Sequence, residues 1–154
     1  MPFKDLREFI AYLEDQKELR RIRKPVDIKY EIAAYIRKTS DIKGPALLFE
    51  NVNGSKIPVV GGVFATRKRG LLALETTEKE YGEKFHHALD HLIPPRKISS
   101  GPCKQVILKA EDADLSRFPI PIFSEGDSGP FITAGLVISK DPETARSAET
   151  SRLC

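Results

Sequence analysis

Apolar residues recur with two different periods along the chain, and the switches between them mark out its elements. Leu6, Phe9, Ile10 and Leu13 fall at i, i+3, i+4 and i+7, one stripe of a helix. Asp5 followed by Glu8 resembles a capping box, with carboxylates where the helix start leaves backbone N–H groups unpaired. Residues 18–26 alternate as a strand through Leu19 and Ile22, and Pro25 ends it. Asp27 is then expected to cap a second helix reaching about Thr39, with Ile28, Ile32, Ala33 and Ile36 inward. Two short apolar runs follow, Ala46–Phe49 and residues 57–63, separated by an Asn53-Gly54 turn. They read as a hairpin whose second strand lies at an edge, because Pro58 cannot donate to a ladder. The helical period returns over residues 67–75 and 78–92, the latter with Phe85, Leu89, Leu92 and Ile93 on one side. Leu6, Phe9, Ile10 and Leu13 are expected to pack on the sheet that carries Leu47 and Phe49.

Pro94-Pro95 and Ser99-Ser100-Gly101-Pro102 then punctuate the chain, and a boundary is placed there. Beyond it Val106-Ile107-Leu108 reads as a strand. Residues 115–123 should run extended because Pro119 and Pro121 interrupt them. A turn at residues 126–130 leads into a strand over 131–139, and Asp141-Pro142 ends it. No apolar period continues past about residue 145, so an irregular tail is expected. Residues 104–154 offer too little apolar surface to offset their conformational entropy alone. The expected fold class is α+β. A helix-flanked small sheet forms an N-terminal α/β domain over 1–103, and 104–154 forms an unfinished second unit.

Composition narrows the function. Of 154 residues, 40% are hydrophobic and 31% charged, with 25 Lys plus Arg against 22 Asp plus Glu, a balance of +3. So even a balance argues against a dedicated nucleic-acid binder. No apolar run approaches the roughly 20 residues that cross a bilayer. The first eight residues mix charges of both signs, unlike a secretory leader, so a soluble cytoplasmic chain is expected. Cys103 and Cys154 form no C-x-x-C pair and are expected to stay as free thiols.

Other features each carry two readings. His87 and His91, at i, i+4 beside His86 and Asp90, have the spacing of helical metal sites, but no third ligand is apparent. A solvated polar face is the simpler reading. Arg20, Arg21, Arg23 and Lys24, like Arg67-Lys68-Arg69, could meet phosphates, yet a solvated edge that resists strand aggregation explains them. Gly61-Gly62 could approach a phosphate, although no G-x-G-x-x-G or Walker lysine accompanies it. No G-x-S-x-G nucleophile elbow occurs.

The most distinctive stretches are Asp114-Leu115-Ser116-Arg117-Phe118-Pro119-Ile120-Pro121, Asp127-Ser128-Gly129-Pro130-Phe131-Ile132-Thr133-Ala134-Gly135 and Asp141-Pro142-Glu143-Thr144. With Asp5-Leu6-Arg7-Glu8-Phe9-Ile10, Gly44-Pro45-Ala46-Leu47-Leu48-Phe49-Glu50-Asn51-Val52 and Pro58-Val59-Val60-Gly61-Gly62, the chain resembles the UbiD family of prenylated-flavin-dependent decarboxylases. The resemblance implies an N-terminal α/β domain followed by a split β-barrel that holds the flavin, with residues 104–154 its opening strands. It also implies reversible decarboxylation of an aromatic or α,β-unsaturated acid, with prenylated FMN as electron sink and a divalent metal, Mn2+, bridging its phosphate. Thr133 falls where the family places a threonine that touches the flavin. After Asp-Pro-Glu-Thr the family continues with Gly, a metal-ligating Asn and, five residues on, a catalytic Arg. Here Ala145 stands for the glycine and no Asn follows Asn53, while Arg152 lies five residues after Ser147 and could match the family arginine if one residue were deleted. A serine hydroxyl is a poor substitute for an amide oxygen on a hard cation. No catalytic or metal-ligating residue is therefore assigned, and this stretch alone is expected to be inactive.

The resemblance further implies a homo-oligomer or partner subunit. A non-catalytic subunit that completes its barrel with another chain is a rival reading, through strand donation at residues 106–108 and 131–139. A basic phosphate or nucleic-acid module is the remaining one.

Overall fold

The computed structural model describes residues 3–94, 96–140 and 147–150. Helix α1 spans Leu6–Asp15, and Asp5 caps it by accepting from the Glu8 N–H at 2.9 Å. Glu8 reaches back to the Lys4 N–H, so the two carboxylates satisfy orphan donors as the sequence suggests. The chain reverses at Lys17, at φ +59°, with the Glu18 N–H donating to Leu13 O. Strand β1, Leu19–Ile22, follows and runs parallel to β2, Ala46–Phe49, with Leu19 beside Ala46 and Ile22 beside Phe49. Helix α2, Glu31–Asp41, makes the crossover that a parallel pair requires. Strand β3, Val59–Gly61, returns antiparallel to β2 and completes a sheet of order β1-β2-β3. The predicted hairpin is thus present, with β3 at an edge.

Successive residues of β2 face opposite sides, and each side has its own core. Leu47 and Phe49 join Val26, Ile32 and Val52, with Tyr35 and Ile36 of α2 packed against them. Ala46 joins Phe9, Leu13 and Leu19, with Leu48, Val60 and Leu72 against that group. Helix α1 therefore packs, as expected, on the sheet that carries Leu47 and Phe49, through Phe9, Ile10 and Leu13 and on the face opposite those two residues. Leu6 is 54% exposed and belongs to neither core.

Helix α2 starts three residues later than predicted, with Tyr30 rather than Asp27 at the cap position. Asp27 does not cap it: its carboxylate accepts from the Lys29 N–H at 2.7 Å, and Tyr30 sits at φ +68°. The backbone there is committed elsewhere, since the Tyr30 N–H donates to Ile122 O and the Ile122 N–H to Ile28 O. These bonds dock the proline-interrupted segment 119–123 on the first unit.

Helix α3 spans Arg67–Ala73 with Thr66 as its cap, and α4 spans Tyr81–Asp90. No residue of α4 is buried, so its predicted inward stripe is uncovered among the described residues. Val106-Ile107-Leu108 is not a strand but an exposed irregular stretch, because no described segment offers it a ladder. The strand predicted over 131–139 is shorter: residues 131–136 are irregular with a turn at Thr133-Ala134, and β4 is Val137–Lys140. It pairs antiparallel with β5, Ser147–Thr150, inside the stretch expected to be irregular. The two form a separate ribbon, and no barrel is closed among the described residues.

Candidate functional site

Segment 119–123 lies across from β3, and the space between them is an open groove of about 580 Å³. One wall is β3 and its continuation, Val59 to Ala65, backed by Ile36 and Ser40 of α2. The other is Pro119 to Pro121, Phe123 and Phe131 to Ala134, and Leu6 stands at the rim. Asp127 fixes the second wall by accepting from the Phe123 and Ser124 N–H groups at 3.1 and 2.9 Å. That bend brings the Phe123 and Phe131 rings to 5.2 Å, which carries the following Ile132 and Thr133 into the lining.

Glycine is required in the first wall. A Cβ on Gly61 would lie 2.2 Å from Ile36 Cδ1, and Gly62 has φ +68°. The Gly61-Gly62 pair therefore serves close packing on α2 and a bend. The bend is a turn closed by the Ala65 N–H donating to Gly62 O at 3.1 Å.

Arg69 holds this bend from behind, and its role corrects the reading of Arg67-Lys68-Arg69 as a solvated edge. Its side chain is 0% exposed. Nε donates to Val63 O at 3.0 Å, Nη2 to Gly62 O at 3.0 Å, and Nη1 to both Gly44 O at 2.9 Å and the Glu18 carboxylate at 3.0 Å. Glu18 also accepts from Lys68 Nζ at 2.5 Å. The Lys68 and Arg69 hydrogen bonds hold the Glu18 carboxyl below its ordinary range, against the opposing effect of burial. Only the helical period could have revealed Arg69 from sequence: it lies three and four residues before Leu72 and Ala73, which pack on the α1 core.

The remaining candidates lie away from the groove. Arg21 pairs with Glu14 and Glu50, Arg23 with Glu50, and Lys24 with Glu31, so that basic run meets carboxylates of its own chain. The Arg21 guanidinium lowers both Glu14 and Glu50. His87 and His91 stack at 4.0 Å on exposed α4, and no metal-holding group of three or more His, Cys, Asp or Glu occurs among the described residues. Cys103 is an exposed free thiol, while Cys154 and Arg152 lie outside the described residues. No described helix is long and apolar enough to cross a membrane.

Two family models match in tandem. The 3-octaprenyl-4-hydroxybenzoate carboxy-lyase N-terminal domain covers residues 10–89, and the carboxy-lyase Rift-related domain covers 96–153. The chain belongs to the UbiD family. Among solved structures, it is similar to the UbiD-class enzyme HmfF from Pelotomaculum thermopropionicum in complex with FMN, at 36% identity and TM-score 0.85 over 94% of this chain. It is also similar to the vanillic acid decarboxylase of Sedimentibacter hydroxybenzoicus in closed form, at 30% identity and TM-score 0.82 over 92%. The 3,4-dihydroxybenzoic acid decarboxylase of Enterobacter cloacae matches at 29% identity and TM-score 0.85 over 97%. The chain spans about a third of the length of these structures, 33%, 32% and 34% respectively.

The groove's chemistry suits one part of a flavin. Its described lining is aliphatic, aromatic and glycine, with Ser40 and Thr133 the polar side chains, and Ser40 Oγ already donates to Ile36 O at 2.7 Å. A flat apolar ring fits such walls. A phosphate and a divalent cation do not, because the described lining has no Lys, Arg or carboxylate.

Proposed function

We propose that this chain forms the N-terminal α/β domain, residues 1–103, and the opening part, 104–154, of the flavin-holding split barrel of a UbiD-class carboxy-lyase. Such an enzyme would reversibly decarboxylate an aromatic or α,β-unsaturated acid with prenylated FMN and Mn2+. The reading rests on family membership and, within the fold, on the groove that sets the Gly61-Gly62 wall against Phe131 and Thr133. In this reading Thr133 touches the flavin ring, and the cation and phosphate are held by groups outside the groove's described lining. The stretch by itself then releases no carbon dioxide.

A chimaera tests this. Residues 1–140 should replace the matching segment of the Pelotomaculum enzyme with retention of prenylated FMN through desalting and with release of carbon dioxide from that enzyme's acid. A folded chimaera that holds no flavin refutes the proposal. Carbon dioxide release by the 154-residue chain alone refutes the assignment of phosphate and metal to other groups. The exposed Val106, Ile107 and Leu108 favour a second reading, in which another polypeptide covers this stretch as in a non-catalytic subunit. Size-exclusion chromatography showing a monomer indifferent to candidate partners would remove it.

A further inference from the structure

Arg69 is the one charged side chain that is fully buried among the described residues, and the flavin chemistry proposed above does not use it. Four hydrogen bonds leave its planar fork in a single orientation. Two of them end on Gly62 O and Val63 O, the carbonyls of the bend that forms the first groove wall. The other two end on Gly44 O, next to β2, and on Glu18, next to β1. The guanidinium therefore ties a glycine-containing bend, which has little stiffness of its own, to the rigid part of the sheet. Glu18 supplies the counter-charge that makes burial of the cation tolerable.

We propose that Arg69 is a positioning residue: paired with Glu18, it sets the Gly62–Val63 bend so that the groove admits a flat ring, and the sheet itself does not depend on it. The proposal rests on reading the groove as a seat for a ring, and its test separates the two claims. A lysine keeps the charge but offers one nitrogen, which cannot span four acceptors spread over three segments.

The experiment compares the 154-residue chain with Arg69→Lys by amide hydrogen exchange and by binding of lumiflavin, a flavin ring without phosphate. The Ala65 amide, bonded to Gly62 O, reports the bend, and the Glu50 amide, bonded to Ile22 O, reports the sheet. In Arg69→Lys the Ala65 amide should exchange about tenfold faster while Glu50 changes less than about twofold. Lumiflavin binding should weaken about tenfold in the same variant. Equal acceleration at both amides, or none at either, overturns the positioning role. If the unaltered chain binds no lumiflavin, the ring-seat reading fails while the Ala65 comparison still decides the role of Arg69. Should Arg69→Lys not fold, Glu18→Gln decides by the same two amides: acceleration at Ala65 that exceeds the acceleration at Glu50 by about fivefold or more supports the proposal, and equal acceleration at both overturns it.

Discussion

Substitution of Gly61 by alanine offers a sharp test of how β3 meets α2. An ideal Cβ at this position would sit 2.2 Å from Ile36 Cδ1 and 2.5 Å from Ile36 Cγ1, with Ile36 Cβ at 3.8 Å. Contacts this short force Ile36 out of its rotamer or push β3 off the helix. Overpacking of this kind costs about 1–3 kcal/mol. The strand conformation itself accommodates alanine, so the clash alone sets the sign. Ile36→Ala removes both offending atoms; because Ile36 is only half-buried, its own cost should fall at or below the low end of the usual range of about 2–5 kcal/mol. In Gly61→Ala/Ile36→Ala the new methyl occupies space the isoleucine has left. The pair should then be less destabilised than the two single changes together, by at least about 1 kcal/mol. Urea denaturation followed by far-UV circular dichroism on all four proteins supplies the cycle. Additivity within about 0.5 kcal/mol would refute the packing argument.

Leu13→Ala should cost about 2–5 kcal/mol, because Leu13 is fully buried between α1 and the sheet, whereas Leu6→Ala should stay within about 0.5 kcal/mol; thermal melts of the two variants check the contrast. Asp5→Ala removes the carboxylate that accepts from the Glu8 N–H and should lower stability by about 0.5–2 kcal/mol, read as a shift in the urea midpoint. The Glu18 carboxyl titrates lower in the folded chain than in the unfolded one. Its contribution is therefore complete above the ordinary carboxylate range and is lost as pH falls through the lowered folded value. Melting temperature measured from neutral pH into acid should show this loss, and Glu18→Gln should flatten that limb; an unchanged acid limb would disprove the coupling.

Periodicity made the local structure legible, and long-range pairing limited the rest. The stripe of α1, its Asp5 cap and the β2–β3 hairpin are written in contiguous residues, so short-range rules find them. The choice of core by α1 is different. Leu47, Phe49, Ala46 and Leu48 are all apolar, and nothing local says which side of β2 receives which helix. The start of α2 depends on Ile122, more than ninety positions on, which claims the backbone where Asp27 would otherwise cap. Val106-Ile107-Leu108 has the composition of a strand, but a strand exists only through its neighbour. Within the groove, Thr133 stands out through family motifs alone, while Arg69 looks like any surface arginine until Glu18, Gly44 and Gly62 are brought around it.

Four residues of β2 serve as a party wall between two rooms. Adding or deleting one residue at its start would hand each side the other's furniture: Ala46 and Leu48 would turn toward α2, Leu47 and Phe49 toward α1. Both halves of the domain would lose their fit in a single stroke, though no apolar residue had been removed. Length changes in this part of the chain should therefore be confined to the loop between β2 and β3, whose tip at Gly54 has open space around it.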